Sequence, residues 1–331
     1  MNGGCMKRKQ TKNWIAALCL SVLLLLLAGC GGNDSTDSPD PATGNTEQAA
    51  AAQTADLAQV EKETAVQLIR LLSGEEVGPG NEWSIIGIAG SSMGKEAEAQ
   101  SLFMQYEESL RLAVKRADGV LDPDRPTDNA KAAIALQMIG GDPQDVEGFD
   151  LLAQQEDTET VKAQGINAEI WALNAAACCG RELKARETYI EDILGMQLED
   201  GSITYDGQTA DVDITAMAMQ ALAPFAGENQ QITDALTAAR GWLASQQHPG
   251  GDYGNSESTS QVVLALAALG EDPAKAEDFA KGSTLLDGLM LYRCADGFSH
   301  LHGDEMDVMA TEQALCAIDS ALLAAQGEKL F

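Results

Sequence analysis

Six times along the chain a small residue and a large apolar one sit together at the centre of an alanine-rich stretch. The pairs are Gly87-Ile88, Ala135-Leu136, Ala172-Leu173, Ala218-Met219, Ala265-Leu266 and Ala314-Leu315, at intervals of 37 to 49 residues. Self-similarity at that period is the mark of a stacked array of supersecondary units. The clearest pair of copies runs from Ala135 through Gly140-Gly141-Asp142-Pro143 and, 130 residues on, from Ala265 through Gly270-Glu271-Asp272-Pro273. Seven residues before each anchor stand Gly80, Asp128, Gly165, Asp211, Ser258 and Asp307. All are residue types that start helices, so each anchor is expected to lie inside a helix capped at that position.

Between the anchors the pattern changes to amphipathic and charged. Helices are expected over Thr54–Ser73, Glu96–Arg116, Arg181–Gln197, Gln230–Gln247 and Pro273–Tyr292. Each has one polar face and so belongs outside, whereas the anchor helices are apolar nearly all round and belong inside. The expected class is all-α. An open array of such hairpins needs polar end caps, and neither end supplies one. The pattern therefore predicts an (α/α)6 toroid of twelve helices, with an open superhelix as the alternative. Inner-to-outer turns are tight, as in Gly140–Pro143. The outer-to-inner loops Ala117–Thr127, Leu198–Ala210, His248–Glu257 and Cys294–Met306 are longer, and long loops on a rigid scaffold are where function gathers.

The N-terminus divides the chain into three parts. Residues 1–29 hold Lys7, Arg8, Lys9 and Lys12 ahead of the apolar run Trp14–Ala28, which is short for a membrane span. The run ends in Leu27-Ala28-Gly29-Cys30, which resembles a bacterial lipobox. The resemblance implies cleavage before Cys30, lipidation of that cysteine and a domain anchored to the membrane on its extracytoplasmic side. Residues 30–53 read as a flexible tether and 54–331 as the folded domain.

Charge narrows the partners. The first 29 residues contain four bases and no acid, so 17 of the 21 bases face all 51 acids in the remainder, a formal net charge of −34. Such a surface repels nucleic-acid phosphates and anionic lipid headgroups, so no nucleic-acid partner is expected. Cys178, Cys179, Cys294 and Cys316 remain in the folded part. Four thiols in a domain of this size do not make a disulfide scaffold. Adjacent Cys178 and Cys179 read as small packing residues, and a single Cys294–Cys316 bridge stays open.

The segment Trp242-Leu243-Ala244-Ser245-Gln246-Gln247-His248-Pro249-Gly250-Gly251-Asp252-Tyr253 resembles the repeat of squalene cyclases and prenyltransferases: aromatic-Leu, three residues, Gln, three residues, Gly, one residue, aromatic. Ile193, Gln197, Gly201 and Ile203 repeat its spacing. The resemblance spans Thr54 to the end and implies the same toroidal fold, which serves several functions. Asp211-Val212-Asp213-Ile214 is similar to the Asp-x-Asp-Asp motif of those cyclases, which implies Asp213 as a general acid on an isoprenoid, with Asp211 beside it. The motif's third acid is Ile214 here, and Asp211 equally suits a helix cap. Asp213–Leu222 is also similar to the inner helices of the cobalamin-binding toroids of intrinsic factor and transcobalamin, which implies a corrinoid as a ligand. A loop with Cys294, Asp296, His300 and His302 offers zinc-ligand types, or is a solvent-facing turn around Asp296-Gly297.

The loops also set candidate binding residues at one mouth: Tyr205, Asp206, Gln208, Tyr253, Asn255, Phe298 and His300. Aromatic faces beside hydrogen-bonding groups suit a small molecule, a glycan or an envelope protein. The reading adopted is ligand or partner binding without catalysis. Cyclase-type chemistry at Asp213 and corrinoid binding are the alternatives.

Overall fold

Alanine-rich segments with few β-branched residues favour helix, and burial of one face holds it in place. The computed structural model describes residues 44–330, with side chains from Asp56 onward. The signal segment, Cys30 and the start of the tether lie outside those residues. The expected tether and the first helix do not divide at residue 54, because helix α1 already runs over Gly44–Leu72. Eleven further α-helices follow among the described residues: α2 Glu82–Gly90, α3 Ala97–Arg116, α4 Pro126–Met138, α5 Thr158–Ala163, α6 Ile166–Cys178, α7 Arg186–Gly195, α8 Val212–Leu222, α9 Gln230–Gln246, α10 Ser256–Ala268, α11 Leu285–Met290 and α12 Val308–Ala324. The fold class is all-α. Among the described residues the one paired strand element is a two-residue hairpin, β1 Arg293–Cys294 with β2 Gly297–Phe298.

The even-numbered helices carry the six anchors, and they are the buried ones. In α10 every residue from Ser258 to Ala267 is buried, and α12 is buried from Gln313 to Ala321. In α3, by contrast, only Ala99, Leu102, Phe103, Tyr106, Leu110 and Val114 are buried, a single stripe at helical spacing. Each fully buried Leu or Ile contributes roughly 1.5–3 kcal/mol relative to exposure. The buried helices pack in the order α2, α4, α6, α8, α10, α12, and α12 then packs on α2. At that last junction Leu315 and Cys316 lie against Gly87, where a Cβ would be only 3.1 Å from Leu315 Cδ2. The Ser84 hydroxyl donates to Glu312 across the same junction.

Side chains fill the space between the buried helices. Trp83 of α2 meets Trp171 of α6 edge-on at 5.5 Å, with the Lys131 ammonium 5.0 Å from the Trp171 ring centre. On the other side an amide chain links three helices: Gln220 donates to Gln261 at 3.0 Å, and Gln261 to Gln313 at 2.9 Å.

Two motifs in the repeats have a physical role. Gln247 Nε2 donates to the carbonyls of Gly251 (3.0 Å) and Phe279 (2.8 Å), and Gln197 Nε2 to those of Gly201 (3.0 Å) and Ala235 (2.9 Å). Each glutamine thus closes its own loop and ties it to the next outer segment. The glycine permits the close approach. A Cβ on Gly201, whose φ is +95°, would lie 2.6 Å from the Ala238 carbonyl oxygen. Four residues after their helix caps, Asn129, Thr215, Thr259 and Thr311 each accept a backbone N–H from the preceding loop, from Leu121, Ile203, Tyr253 and Phe298 at 2.8–3.1 Å. The long loops are pinned by one repeated hydrogen bond.

Several expectations need correction. Gly165, Asp211 and Asp307 occupy N-cap positions, but α2, α4 and α10 start from Asn81, Arg125 and Asn255. Pro126 sets the first turn of α4 ahead of Asp128, since its fixed φ suits that position and its missing N–H is not needed there. Asn255 accepts from Ser258 N–H, so Ser258 lies inside α10. The helix expected over Pro273–Tyr292 reduces to α11, preceded by a short 3-10 turn at Glu277–Phe279. Gly282 at φ +99° interrupts it, and Thr284 with Asp287 forms a capping box that starts a new helix. Cys178, Cys179, Cys294 and Cys316 are all free, so no Cys294–Cys316 bridge forms.

Candidate functional site

The loop between α7 and α8 folds on itself around one carboxylate. Asp206 accepts from the Thr204 hydroxyl (2.9 Å), the backbone N–H groups of Gln208 (2.9 Å) and Thr209 (2.7 Å), and the Thr209 hydroxyl (3.0 Å). These donors, the Thr209 N–H foremost, hold its carboxyl well below the usual carboxylate range. Asp206 is therefore a loop-builder, and its neighbour Tyr205 is turned outward, 56% exposed. Beside it opens a cleft of about 410 Å³ lined by Tyr205, Asp206, Thr209, Asp211, Asp213 and Ile214.

The two aspartates of the cyclase-like motif differ in state. Asp211 caps α8, its Oδ1 accepting the Ile214 N–H at 2.9 Å, which fulfils the capping alternative. Asp213, in the first turn, has Oδ1 buried without a hydrogen-bond partner. Burial raises its carboxyl above the ordinary value and the charges of Asp211 and Glu257 add to that, while the Ser258 hydroxyl opposes it. A carboxyl in that state holds its proton more readily and can donate a hydrogen bond to a neutral oxygen. The cleft it borders is open and edged by three aspartates. A more apolar cavity, of about 180 Å³, lies away from it between α1, α11 and α12, with Leu57, Val60, Leu286, Met290 and Leu322 in its wall.

The remaining mouth residues separate into four groups. Tyr253 and Phe298 are core side chains and do not face a ligand: Tyr253 is 8% exposed with its hydroxyl donating to the Leu243 carbonyl at 2.8 Å, and Phe298 is wholly buried. The residue that ends each copy of the repeat motif, Tyr253 or Ile203, is buried and seals its loop onto the helices. Asn255 is engaged as the α10 cap. Gln208 is exposed on the rim. His300 Nδ1 lies 2.9 Å and 3.1 Å from the two carboxylate oxygens of Glu257, whose hydrogen bond and charge raise the imidazole above its ordinary value. The His300 carbonyl also accepts from Ser256 N–H at 3.1 Å, so this loop is docked on the start of α10.

The zinc-type residues are not brought together. Asp296 and His302 are exposed, Cys294 is half-buried in β1 and His300 is paired with Glu257. Among the described residues no group of three or more His, Cys, Asp or Glu side chains could hold a metal ion. Nor is any described helix long and apolar enough to cross a membrane. Sequence reasoning missed Glu257 and Ser258 as neighbours of Asp213 and His300. The signal was present in the repeat register, because Asp213 and Glu257 both occupy the second position of their helices. Comparison with known protein families finds none that matches the chain. Comparison with curated proteins finds no match either.

Proposed function

We propose that this chain is a lipid-anchored, extracytoplasmic (α/α)6 toroid that binds a hydroxyl-rich ligand, a glycan, at the cleft beside Tyr205. The toroid reading is supported by the packing of α12 on α2 and by the loop-pinning and glutamine bonds that recur from repeat to repeat. The anchor reading rests on the lipobox-like Leu27–Cys30. One observation carries the binding function: an exposed tyrosine ring on a self-braced loop borders an open cleft edged by Asp211 and Asp213. An aromatic face packs on the C–H face of a sugar ring, and the carboxyl groups of Asp211 and Asp213 offer hydrogen bonds to its hydroxyls. The acidic surface favours a neutral or amino sugar over an anionic one.

Purified protein screened against a panel of neutral, amino and acidic glycans should retain a neutral or amino sugar. Tyr205→Ala should weaken that binding about 10-fold or more, about 1.4 kcal/mol. A panel with no retained sugar, or equal binding by Tyr205→Ala, would remove the glycan reading. A corrinoid carried from the host would show in the visible absorbance. The buried, unpartnered Oδ1 of Asp213, whose carboxyl is raised by burial, favours one second reading, acid catalysis on an isoprenoid or on the bound ligand. Turnover that Asp213→Asn abolishes while binding persists would establish it.

A further inference from the structure

A cavity of about 180 Å³ opens between α1, α11 and the last turn of α12, at the end of the fold opposite the long loops. The outer layer is short there. Gly282 at φ +99° interrupts the amphipathic stretch before α11, which is left with six residues. A helix that short leaves its surroundings incompletely covered, and Leu57, Leu286, Met290 and Leu322 stay half-buried around the opening. Val60 and Ala321 are buried and complete the apolar wall.

The charged part of the lining is mostly acidic. Asp56, Asp272 and Asp287 contribute to it, with Lys275 as its one base among the described residues. The Lys275 ammonium is taken by Asp272 at 2.7 Å, so the charges of that pair cancel. The Thr284 N–H and hydroxyl both donate to Asp287 Oδ2, at 3.0 Å and 2.7 Å, and no described residue donates to Oδ1. Asp56, on the α1 side, is exposed. Two carboxylates thus remain to meet a cation. The helix ends act in the same sense. The N-terminus of α11, which would attract an anion, is closed by its capping box, and α12 presents the negative end of its dipole.

We propose that this cavity binds a small organic cation with an apolar body, an arylalkylammonium. Apolar cavities of roughly 150 Å³ take up benzene, so the space suits a single ring. Leu57, Leu286, Met290 and Leu322 would lose their remaining contact with water against that ring. The ammonium on its short tail would lie toward Asp56 and Asp287, where a neutral hydroxyl gains less and a carboxylate is repelled. The cavity lies away from the Tyr205 cleft, and the proposal does not depend on the glycan reading.

The test titrates the full chain, carrying carbon-13 at its methionine methyls, with phenethylammonium, phenethyl alcohol and phenylacetate. An acidic protein draws any cation to its surface, so the place of binding is read at Met290, assigned through Met290→Leu, against Met104, 67% exposed on α3. Phenethylammonium should shift the Met290 methyl saturably and leave Met104 unmoved. It should bind about 3-fold or more tightly than the alcohol, with phenylacetate weakest. Asp56→Asn should weaken the ammonium about 3-fold. Glu75→Gln, which removes the same charge from an exposed position outside the cavity, should match the parent. Leu57→Trp should fill the space and abolish the Met290 response, with circular dichroism checking that it folds. A Met290 methyl that stays in place in the parent would overturn the proposal whether or not that variant folds. So would equal affinity for the ammonium and the alcohol, equal losses in Asp56→Asn and Glu75→Gln, or undiminished binding by folded Leu57→Trp.

Discussion

Glu257 and His300 come from different repeats, 43 positions apart, and meet at 2.9 Å. The contact joins the long loop after α11 to the first turn of α10. The imidazole is raised by its hydrogen bond and Coulomb attraction to the carboxylate, so the folded protein binds this proton more tightly than the unfolded chain. The pair's contribution is therefore complete below the ordinary histidine value of 6.5 and is lost as pH rises through the higher folded value. A two-dimensional NMR titration should place His300 above 6.5, and Glu257→Gln should return it toward that figure. An unchanged midpoint in Glu257→Gln would disprove the pairing. At this scale the sequence was a partial guide. It put Tyr205 and Asp206 at the mouth, but it also put Tyr253 and Phe298 there. An aromatic residue near a loop reads the same whether it covers a ligand or seals the loop, and burial, with the Tyr253 hydroxyl's bond to Leu243, separates the two cases.

Among the elements, the inner helices were the most legible, because apolar residues on every face leave burial as the one stable solution. The outer elements were less so. Helix α11 is six residues, where the pattern predicts a helix over Pro273–Tyr292. Proline, glycine and a capping box can divide an amphipathic stretch without changing its hydrophobic period, so the period alone could not show the breaks. What the elements share is the glutamine staple. Gln247 and Gln197 each give both amide protons to carbonyls, one inside the loop and one on the following outer segment. Gln247→Ala leaves the buried carbonyls of Gly251 and Phe279 unpaired and should cost about 1–3 kcal/mol. For a chain of this size that corresponds to a fall in Tm of roughly 2–4 °C per kcal/mol. Gln246→Ala, one residue earlier on the exposed face, should change stability by less than about 0.5 kcal/mol. Equal melting curves for the two variants would refute the staple.

Two buried acids stand on the first and last of the described helices, Glu61 on α1 and Asp319 on α12. Glu61 of α1 accepts from the Ser92 hydroxyl at 2.8 Å and from its N–H. Asp319 of α12 is 2% exposed, and neither of its carboxyl oxygens has a hydrogen-bond partner. Burial, with Glu61 beside it, pushes the Asp319 carboxyl far above the usual range. An acid whose folded value is raised binds its proton in the native state while the unfolded chain has released it. Stability therefore falls as pH rises from about 4 toward neutrality. Asp319→Asn removes that dependence. The difference in Tm between Asp319→Asn and the parent should be largest near pH 7 and shrink as pH falls toward 4. A constant offset across that range would show that Asp319 keeps its ordinary value.

The junction between α2 and α12 also dictates when this molecule can be finished. Ser84 and Glu312 are 228 positions apart, and Cys316 reaches the Trp83 carbonyl across 233. Residues so distant cannot meet until nearly the whole chain is available, whereas each helix pair in between can form from neighbours alone. During synthesis α2 therefore waits with one apolar flank uncovered until α12, more than 200 residues later, has been made. In that interval the surplus of 51 acids over 21 bases keeps growing chains apart by mutual repulsion. The late seam makes the C-terminal helix the element whose truncation reaches farthest, because losing it exposes the beginning of the fold as well as the end.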